Sequence, residues 1–406
     1  MFRNYLITAL RNLRRNKIYA ILNVFGLALG IGCALVIFKV IQYENSFDLN
    51  QTKKEEIYRI VIDNIYPDRV EKSQGTQNPV GPALKADYPE IKHLVRTYYP
   101  GGDQLNVVED GQLKKFLLDD GIAFTESSFF DLFDVVWVAG DQSTALSEPQ
   151  TVVVCLSQIE LLFGLKREQA SKALGRTINF ASVRDFTVVG VIEDPVEPTV
   201  LPFKYLFEFQ SQEGDINPYF DNTEWHSTSS ATHTYFIPNQ PFNKDAFEIK
   251  LVDFAEKYLG EGKSEEAKYV VQPFEEIAFD DEYGAYSNAS SIEFLFALGI
   301  IGLFLVLTAS INFVNLATAQ AANRAKEIGV RKAIGGKTNQ LVIQFLSEIA
   351  MITLFALIIA LAIAEIMFKS LVDIIGYELS LDLMNSPQTV FFMLGLFVCV
   401  TLLSGF

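Results

Sequence analysis

The sequence predicts a membrane protein with four transmembrane α-helices, one followed by three. A large α+β extracytoplasmic domain is inserted between helices 1 and 2. Three observations carry this. Half of the 406 residues are hydrophobic, and they gather in four long runs. Acidic charge is concentrated between the first and second run. The stretch between those runs alternates strand-like and helix-like segments, as a folded domain does. With mean hydropathy at +0.21, the composition excludes a disordered, collagen-like or disulfide-built chain and argues against a purely soluble enzyme.

The charge division is sharp. Residues 43–291 hold 42 Asp and Glu against 21 Lys and Arg, a net of −21, and the remainder holds 7 against 12, a net of +5. An acidic body between apolar, basic-flanked ends fits a domain inserted into a membrane protein. No basic stripe exists outside the membrane flanks, so nucleic acid is not an expected partner.

The first apolar run covers residues 18–42, with Lys39 near its far end. As a helix it rises roughly 38 Å, enough to cross a ~30 Å hydrocarbon core with some tilt. Lys39 can snorkel to the interface on its flexible stem. A cleavable signal peptide would need an apolar stretch of about 7–15 residues and a small-residue cleavage site. Neither is evident, so a retained anchor is expected. The other runs cover residues 294–314, 345–368 (with Glu348 and Glu365 near its ends) and 389–406. Inside lipid each backbone must satisfy its own hydrogen bonds, which makes all four helices. The fourth run is still apolar at Phe406, and the expectation is a fragment of a longer chain.

Short basic segments set the orientation. Arg3, Arg11, Arg14, Arg15 and Lys17 precede the first run. Arg324, Lys326, Arg331, Lys332 and Lys337, against Glu327 alone, lie between the second and third. The positive-inside rule puts both segments in the cytoplasm. The expected order is a cytoplasmic N-terminus (1–17), helix 1 (18–42), the extracytoplasmic domain (43–291) and helix 2 (292–316). A cytoplasmic loop (317–343), helix 3 (344–368), an outer loop (369–388) and helix 4 (389–406) follow. Gly26 and Gly30 form a GxxxG step in helix 1. Such a step permits close helix packing and hints at dimerisation, although glycine enrichment is ordinary in membrane helices.

Within the outer domain, residues 57–62, 151–156, 186–192 and 234–237 are rich in β-branched and aromatic side chains and read as strands. From 243 to 258, Phe247, Leu251, Phe254 and Tyr258 fall on one helical stripe that Gly260 would end. Ser157 is placed to cap another short helix. The domain is expected to be mixed α+β, with two subdomains as one option. Cys33 and Cys399 fall in membrane runs, which leaves Cys155 as the outer thiol. It reads as a small core residue, and no disulfide framework is available.

Little in the chain points to catalysis. His226 and His233 are seven residues apart, but with His93 the only other histidine they form no recognisable metal set. No GxSxG elbow supports a hydrolase. Asp280, Asp281 and Glu282 lack the spaced ligands and turn glycine of a calcium loop. Residues 333–338 (AIGGKT) end like a phosphate-binding loop, yet Arg331 stands where the first glycine is required, and Gly329 comes two residues too early. The chain is therefore not expected to be an enzyme or to bind a cofactor or metal. If ATP is used, another polypeptide must bind it.

Between the second and third runs the sequence reads NRAKEIGVRKAIGG over residues 323–336. Arg324, Glu327 and Arg331 are three and four apart, one alternating-charge stripe on a helix. Ala325 and Ile328 supply a neighbouring apolar face, and Gly335 and Gly336 would end the helix. A short amphipathic helix there could lie on anionic lipid. Equally, it could dock into a groove of a cytoplasmic partner.

The sequence here resembles the MacB/FtsX-type ABC transporter permease family. The likeness lies in residues 4–30 (NYLITALRNLRRNKIYAILNVFGLALG) and 312–348 (NFVNLATAQAANRAKEIGVRKAIGGKTNQLVIQFLSE). It extends through 147–164 (SEPQTVVVCLSQIELLFG), 173–178 (ALGRTI) and 185–195 (DFTVVGVIEDP). The resemblance implies a permease of the bacterial inner membrane that dimerises, or pairs with a fused second half. It implies two cytoplasmic ATPase subunits holding ATP and Mg, and a periplasmic adaptor as a further possible partner. Arg324, Lys326, Glu327, Gly329, Arg331, Lys332 and Gly335 would form the ATPase-coupling element. Because no ATPase domain precedes the first run, separate ATPase subunits are implied. The expected function is mechanotransmission of ATP hydrolysis to the periplasmic domain for export or efflux. The alternative is a non-transporting, FtsX-like regulator that activates or senses an envelope partner.

Overall fold

The computed structural model describes residues 17–109, 111–196, 198–287, 290–333, 338–375, 377, 379–384 and 386–405. They divide into a helical unit, built from residues on either side of the insertion, and an outer unit, Ser46–Ser291.

Four long helices make the helical unit: α1 (Lys17–Glu44), α7 (Ile292–Ala333), α8 (Thr338–Ile375) and α9 (Pro387–Gly405). Each contains a stretch long and apolar enough to cross a membrane. Helix α1 packs against both α7 and α8, and small residues bring them close. On α8, Ala356, Ala360 and Ala364 recur every four residues, all fully buried, and face the buried Ala28, Ile31 and Leu35 of α1. A Cβ on Gly32 would lie 3.3 Å from the Ala360 carbonyl oxygen, and one on Gly30 would lie 2.7 Å from the Ala309 Cβ. The notch at Gly30 is thus filled from within the chain, by α7. Phe294, Phe296, Leu303 and Phe304 remain exposed on α7, an outward apolar surface suited to lipid.

Helices α7 and α8 outrun the apolar segments that announce them. The tail of α7, residues 317–333, is mostly alanine, glutamine, arginine, lysine and glutamate, with Thr318, Asn323, Ile328, Val330 and one glycine, and these helix formers carry the helix on. The expected short helix in a loop is therefore the C-terminal end of α7 itself.

In the outer unit, thirteen strands form one ladder among the described residues. These are β1 (Tyr58–Ile65), β2 (Val70–Ser73), β3 (Ile91–Gly101), β4 (Gln104–Glu109), β5 (Gln112–Leu117), β6 (Ile122–Thr125) and β7 (Trp137–Gly140). They continue with β8 (Thr151–Cys155), β9 (Thr177–Phe180), β10 (Arg184–Ile192), β11 (Tyr205–Glu208), β12 (Thr232–Pro238) and β13 (Ala267–Pro273). The order is β13-β1-β12-β3-β6-β11-β8-β10-β9-β4-β5, with β2 beside β1 and β7 beside β10. The β8–β10 and β6–β11 pairs are parallel, and the other pairs antiparallel. Short helices α2 (Val80–Asp87), α3 (Phe129–Leu132), α4 (Leu156–Phe163) and α6 (Phe274–Ile277) pack around it with α5 (Lys244–Leu259).

Separate cores lie along this ladder. At one end Ile60, Ile62, Phe236, Tyr269 and Val271 alternate along their strands toward Phe247, Leu251 and Phe254 of α5. At the other end, Phe124, Phe180, Phe186 and Phe207 form an edge-to-face aromatic cluster. Helix α5 follows the expected stripe, with Asn243 Oδ1 accepting from Ala246 N (3.0 Å) at its start and Gly260 at its end. Ser157 is not the cap of α4. That helix begins at Leu156, so Ser157 lies in its first turn, and the Asp194 carboxylate accepts from Ser157 N (3.0 Å). Gly164 ends α4 in the left-handed region, φ +64°.

Candidate coupling element

Gly26 of α1 lies opposite Asn312, Gly30 opposite Ala309, Ile37 beside Gly302 and Ile41 beside Gly299. Partner numbers fall as α1 numbers rise, so α1 and α7 run antiparallel. The Glu44 end of α1 therefore lies beside the Ile292 end of α7. The loop between α8 and α9 meets the same end. The Tyr43 and Tyr377 rings stack at 3.8 Å, Tyr377 Oη donates to Glu44 Oε1 (2.8 Å), and Gln42 Nε2 donates to Ser386 Oγ (3.3 Å). Lys17, Ala333 and Thr338 consequently share the opposite end, away from both points where the outer unit is spliced in.

The coupling residues inferred from sequence occupy that far end. At 42 residues α7 rises roughly 63 Å, about twice a ~30 Å hydrocarbon core. Its backbone is helical through positions 324, 326, 327, 329, 331 and 332, and the 3.6-residue period keeps 324, 327 and 331 on one stripe. The side chains of Arg324, Lys326, Glu327, Arg331 and Lys332 lie outside the described residues, as does Gly335 altogether. Val330, among them, is described and exposed.

Residues near both ends of the outer unit are bonded into that unit. On the incoming side, Asp48 accepts from Thr199 Oγ1 and from Val200 N (3.0 Å), and its own N donates to Pro198 O (3.0 Å). Burial pushes the Asp48 carboxyl up, against the bonds from Thr199 and Val200. Thr52 N and Oγ1 both donate to Asp134 Oδ2 (2.6 Å). Toward its other end, the hydroxyl of the half-buried Tyr286 donates to Ala231 O (2.9 Å) and contacts Thr97 Oγ1 (3.0 Å). Sequence reasoning missed these anchors. Asp48 at φ +51° and a half-buried tyrosine carry no local signal, because their partners are remote in the chain.

The groups weighed for catalysis are dispersed. Cys155 is buried on β8 with its thiol pushed up by burial, its Sγ 3.6 Å from Phe203 O. His226 is exposed beside Glu224, His93 is half-buried, and His233 is fully buried on β12. Asp280 caps its own turn, accepting from Glu282 N (2.7 Å) and Tyr283 N (3.2 Å). Among the described residues, no three His, Cys, Asp or Glu converge on a metal-sized site.

An outer α/β unit inserted after the first of four apolar helices defines a multi-pass membrane protein of permease type. Residues 20–229 match the model of the MacB-like periplasmic core domain, and residues 299–406 match that of the FtsX-like permease C-terminal. The first match spans more than half the chain, which belongs to the MacB/FtsX-type ABC transporter permease family. Membership makes it an ABC-transporter-type permease and implies an ATPase partner. Among solved structures, the chain is similar to a domain assigned to a permease protein of Porphyromonas gingivalis, at 18% identity. That match covers 55% of this chain and 92% of the other, with a TM-score of 0.44. It is also similar to the periplasmic region of MacB from Actinobacillus actinomycetemcomitans, at 16% identity over 54% and 89% of the two chains, TM-score 0.38. No match was found among curated proteins.

Proposed function

We propose that this permease transmits ATP hydrolysis, by a separate cytoplasmic ATPase holding ATP and Mg, to its outer domain in the service of export. The carrying observation is the continuity of α7. One unbroken helix bears the cationic RAKEIGVRK segment at one end and the covalent junction to the outer domain at the other. A helix is axially stiff because every backbone bond lies within it, so movement imposed near Arg331 is delivered at Ile292. Asp48 and Tyr286, near the two ends of the outer domain, are bonded into that domain's own structure, which supports this reading. The positive-inside rule places the Ala333 end in the cytoplasm and the outer domain in the periplasm of an inner membrane. A second permease unit completes the transporter, and a periplasmic adaptor is a compatible further partner.

The test is charge reversal. Glu327→Lys with Arg331→Glu, in membranes reconstituted with the ATPase, should weaken ATPase association by about tenfold, roughly 1.4 kcal/mol, with insertion and melting temperature unchanged. Unaltered coupling would refute the proposal. So would cysteine labelling that places residues 323–336 on the same side as residues 46–287. ATPase stimulation that persists without any transported substrate would favour the regulator instead.

A further inference from the structure

A polar cleft of about 720 Å³ opens on the outer unit, within the size range of ligand sites. Three segments wall it: the β1–β2 hairpin, the loop 226–230 leading to β12, and residues 283–285 beyond α6. Each is held from behind. Tyr283 Oη donates to Asp63 Oδ1 (2.6 Å), Gly284 O accepts from Arg59 Nη2 (2.9 Å), and Thr76 N donates to Thr232 O (3.0 Å). Gly75 permits the close approach of the first two walls, since a Cβ there would lie 2.1 Å from Ser229 O. The walls are thus fixed before any ligand arrives.

The lining narrows the ligand's chemistry by elimination. Charges on the walls already have counter-ions, Lys72 with Glu282 and Glu71 with Arg69, and the His226 ring is hydrogen-bonded to Glu224. An ionic ligand would have to displace them. The surface is mostly polar, so an apolar ligand would leave those groups dehydrated. By contrast, the side chains of Asn64, Gln74, Ser227, Thr228 and Ser230 make no hydrogen bond to other described residues. Amides and hydroxyls both donate and accept, and so complement the same mixed capacity in a sugar. Tyr66 and Tyr283 line the same place, each with a cation, Arg69 and Lys72, over one ring face. We infer that this cleft is a binding site for a neutral, polyhydroxylated ligand, a short oligosaccharide or a stretch of glycan strand.

The experiment uses the full chain in detergent, without any ATPase, so its outcome is separate from that of the coupling proposal. Maltotriose and tri-N-acetylchitotriose are titrated by calorimetry, with inorganic phosphate as the ionic control. At least one sugar should bind, and Asn64→Ala, Gln74→Ala and, on the facing wall, Thr228→Ala should each weaken it several-fold without moving the melting temperature. Failure of both sugars overturns the inference, as does sugar binding unchanged in all three variants. Phosphate binding that displaces the sugar overturns it too. Co-sedimentation with purified cell-wall glycan then identifies a strand as the source, and sugar binding without co-sedimentation identifies a free oligosaccharide.

Discussion

The imidazole of His233 lies flat on the phenol ring of Tyr286, with centroids 3.7 Å apart and planes 8° from parallel. The first belongs to β12 and the second to the last stretch of the outer unit, so their contact fastens that stretch to the sheet. Burial, and then the neighbouring Arg59 guanidinium, hold the imidazole well below its ordinary value of 6.5. The folded state therefore keeps His233 neutral where the unfolded chain takes up a proton. Its contribution is intact above pH 6.5 and is lost as pH falls below it. The outer-domain melting temperature of the full chain should accordingly drop on acidification through that value. His233→Phe keeps an aromatic ring on Tyr286 but cannot titrate, and should flatten the slope whatever its effect on the melting temperature at neutral pH. A variant with the parental slope would exclude His233 as its source.

Arg59 faces Gln272 across β1 and β13 and Tyr235 across β1 and β12. It is wholly buried, donating from Nε to Gln272 Oε1 (2.9 Å) and from Nη2 to Gly284 O (2.9 Å). Burial lowers its pKa while the surrounding phenols and Asp280 act to raise it. Arg59→Ala strands two acceptors and opens a cavity, which should cost about 3–5 kcal/mol. Arg59→Met fills most of the volume and should cost visibly less. Chemical unfolding of both variants decides it, and equal losses would mean that packing volume contributes nothing here.

The helical unit was legible in the sequence because lipid imposes a one-dimensional criterion, a long apolar run. Its helix ends were not, since α7 continues past residue 316 on propensity rather than hydropathy. In the outer domain the isolated strands at 151–156 and 186–192 were legible from their β-branched runs. Their pairing was not. Tyr58 meets Phe236, and Phe207 lies between strands far from it in the chain, contacts that no local period encodes. Strand β12 is buried on both faces, so its polar Thr232-His233-Thr234 start does not alternate and blends into the preceding Ser/Thr-rich loop. The buried His233 was hidden for that reason. The cationic end of α7 was legible as a motif, and its stiffness was not.

Asp48 adopts φ +51°, in the left-handed region, while its carboxylate satisfies both Thr199 Oγ1 and Val200 N. Asp48→Ala removes both bonds and leaves an alanine in a conformation it resists, a combined loss of about 2–4 kcal/mol. Asp48→Asn tolerates the backbone and keeps one acceptor, so it should retain about half of that stability. If the incoming junction transmits movement, Asp48→Ala should also uncouple ATP-driven change in the outer domain from ATPase binding, which stays intact. Matching losses in the two variants would refute the role given to the carboxylate pair of bonds.

Gly30 and Gly26 make opposite predictions despite sharing one sequence step. A methyl on Gly30 would meet Ala309 Cβ at 2.7 Å and the Leu305 carbonyl oxygen at 3.1 Å, the second being backbone that cannot swing aside. Gly30→Ala should therefore push α1 from α7 and cost about 1–3 kcal/mol. A methyl on Gly26 finds only Asn312 Nδ2, at 3.9 Å, an ordinary contact. Gly26→Ala should be neutral or slightly stabilising, since alanine favours the helix by about 1 kcal/mol. Detergent-denaturation midpoints of the full chain give both values, and the order of the two matters more than their size. A Gly26→Ala loss as large as that of Gly30→Ala would show that the tight contact does not set the distance between α1 and α7. Because the Gly30 notch is filled by the chain's own helix, neither substitution should change pairing with a second permease unit, which cross-linking at fixed protein concentration can verify.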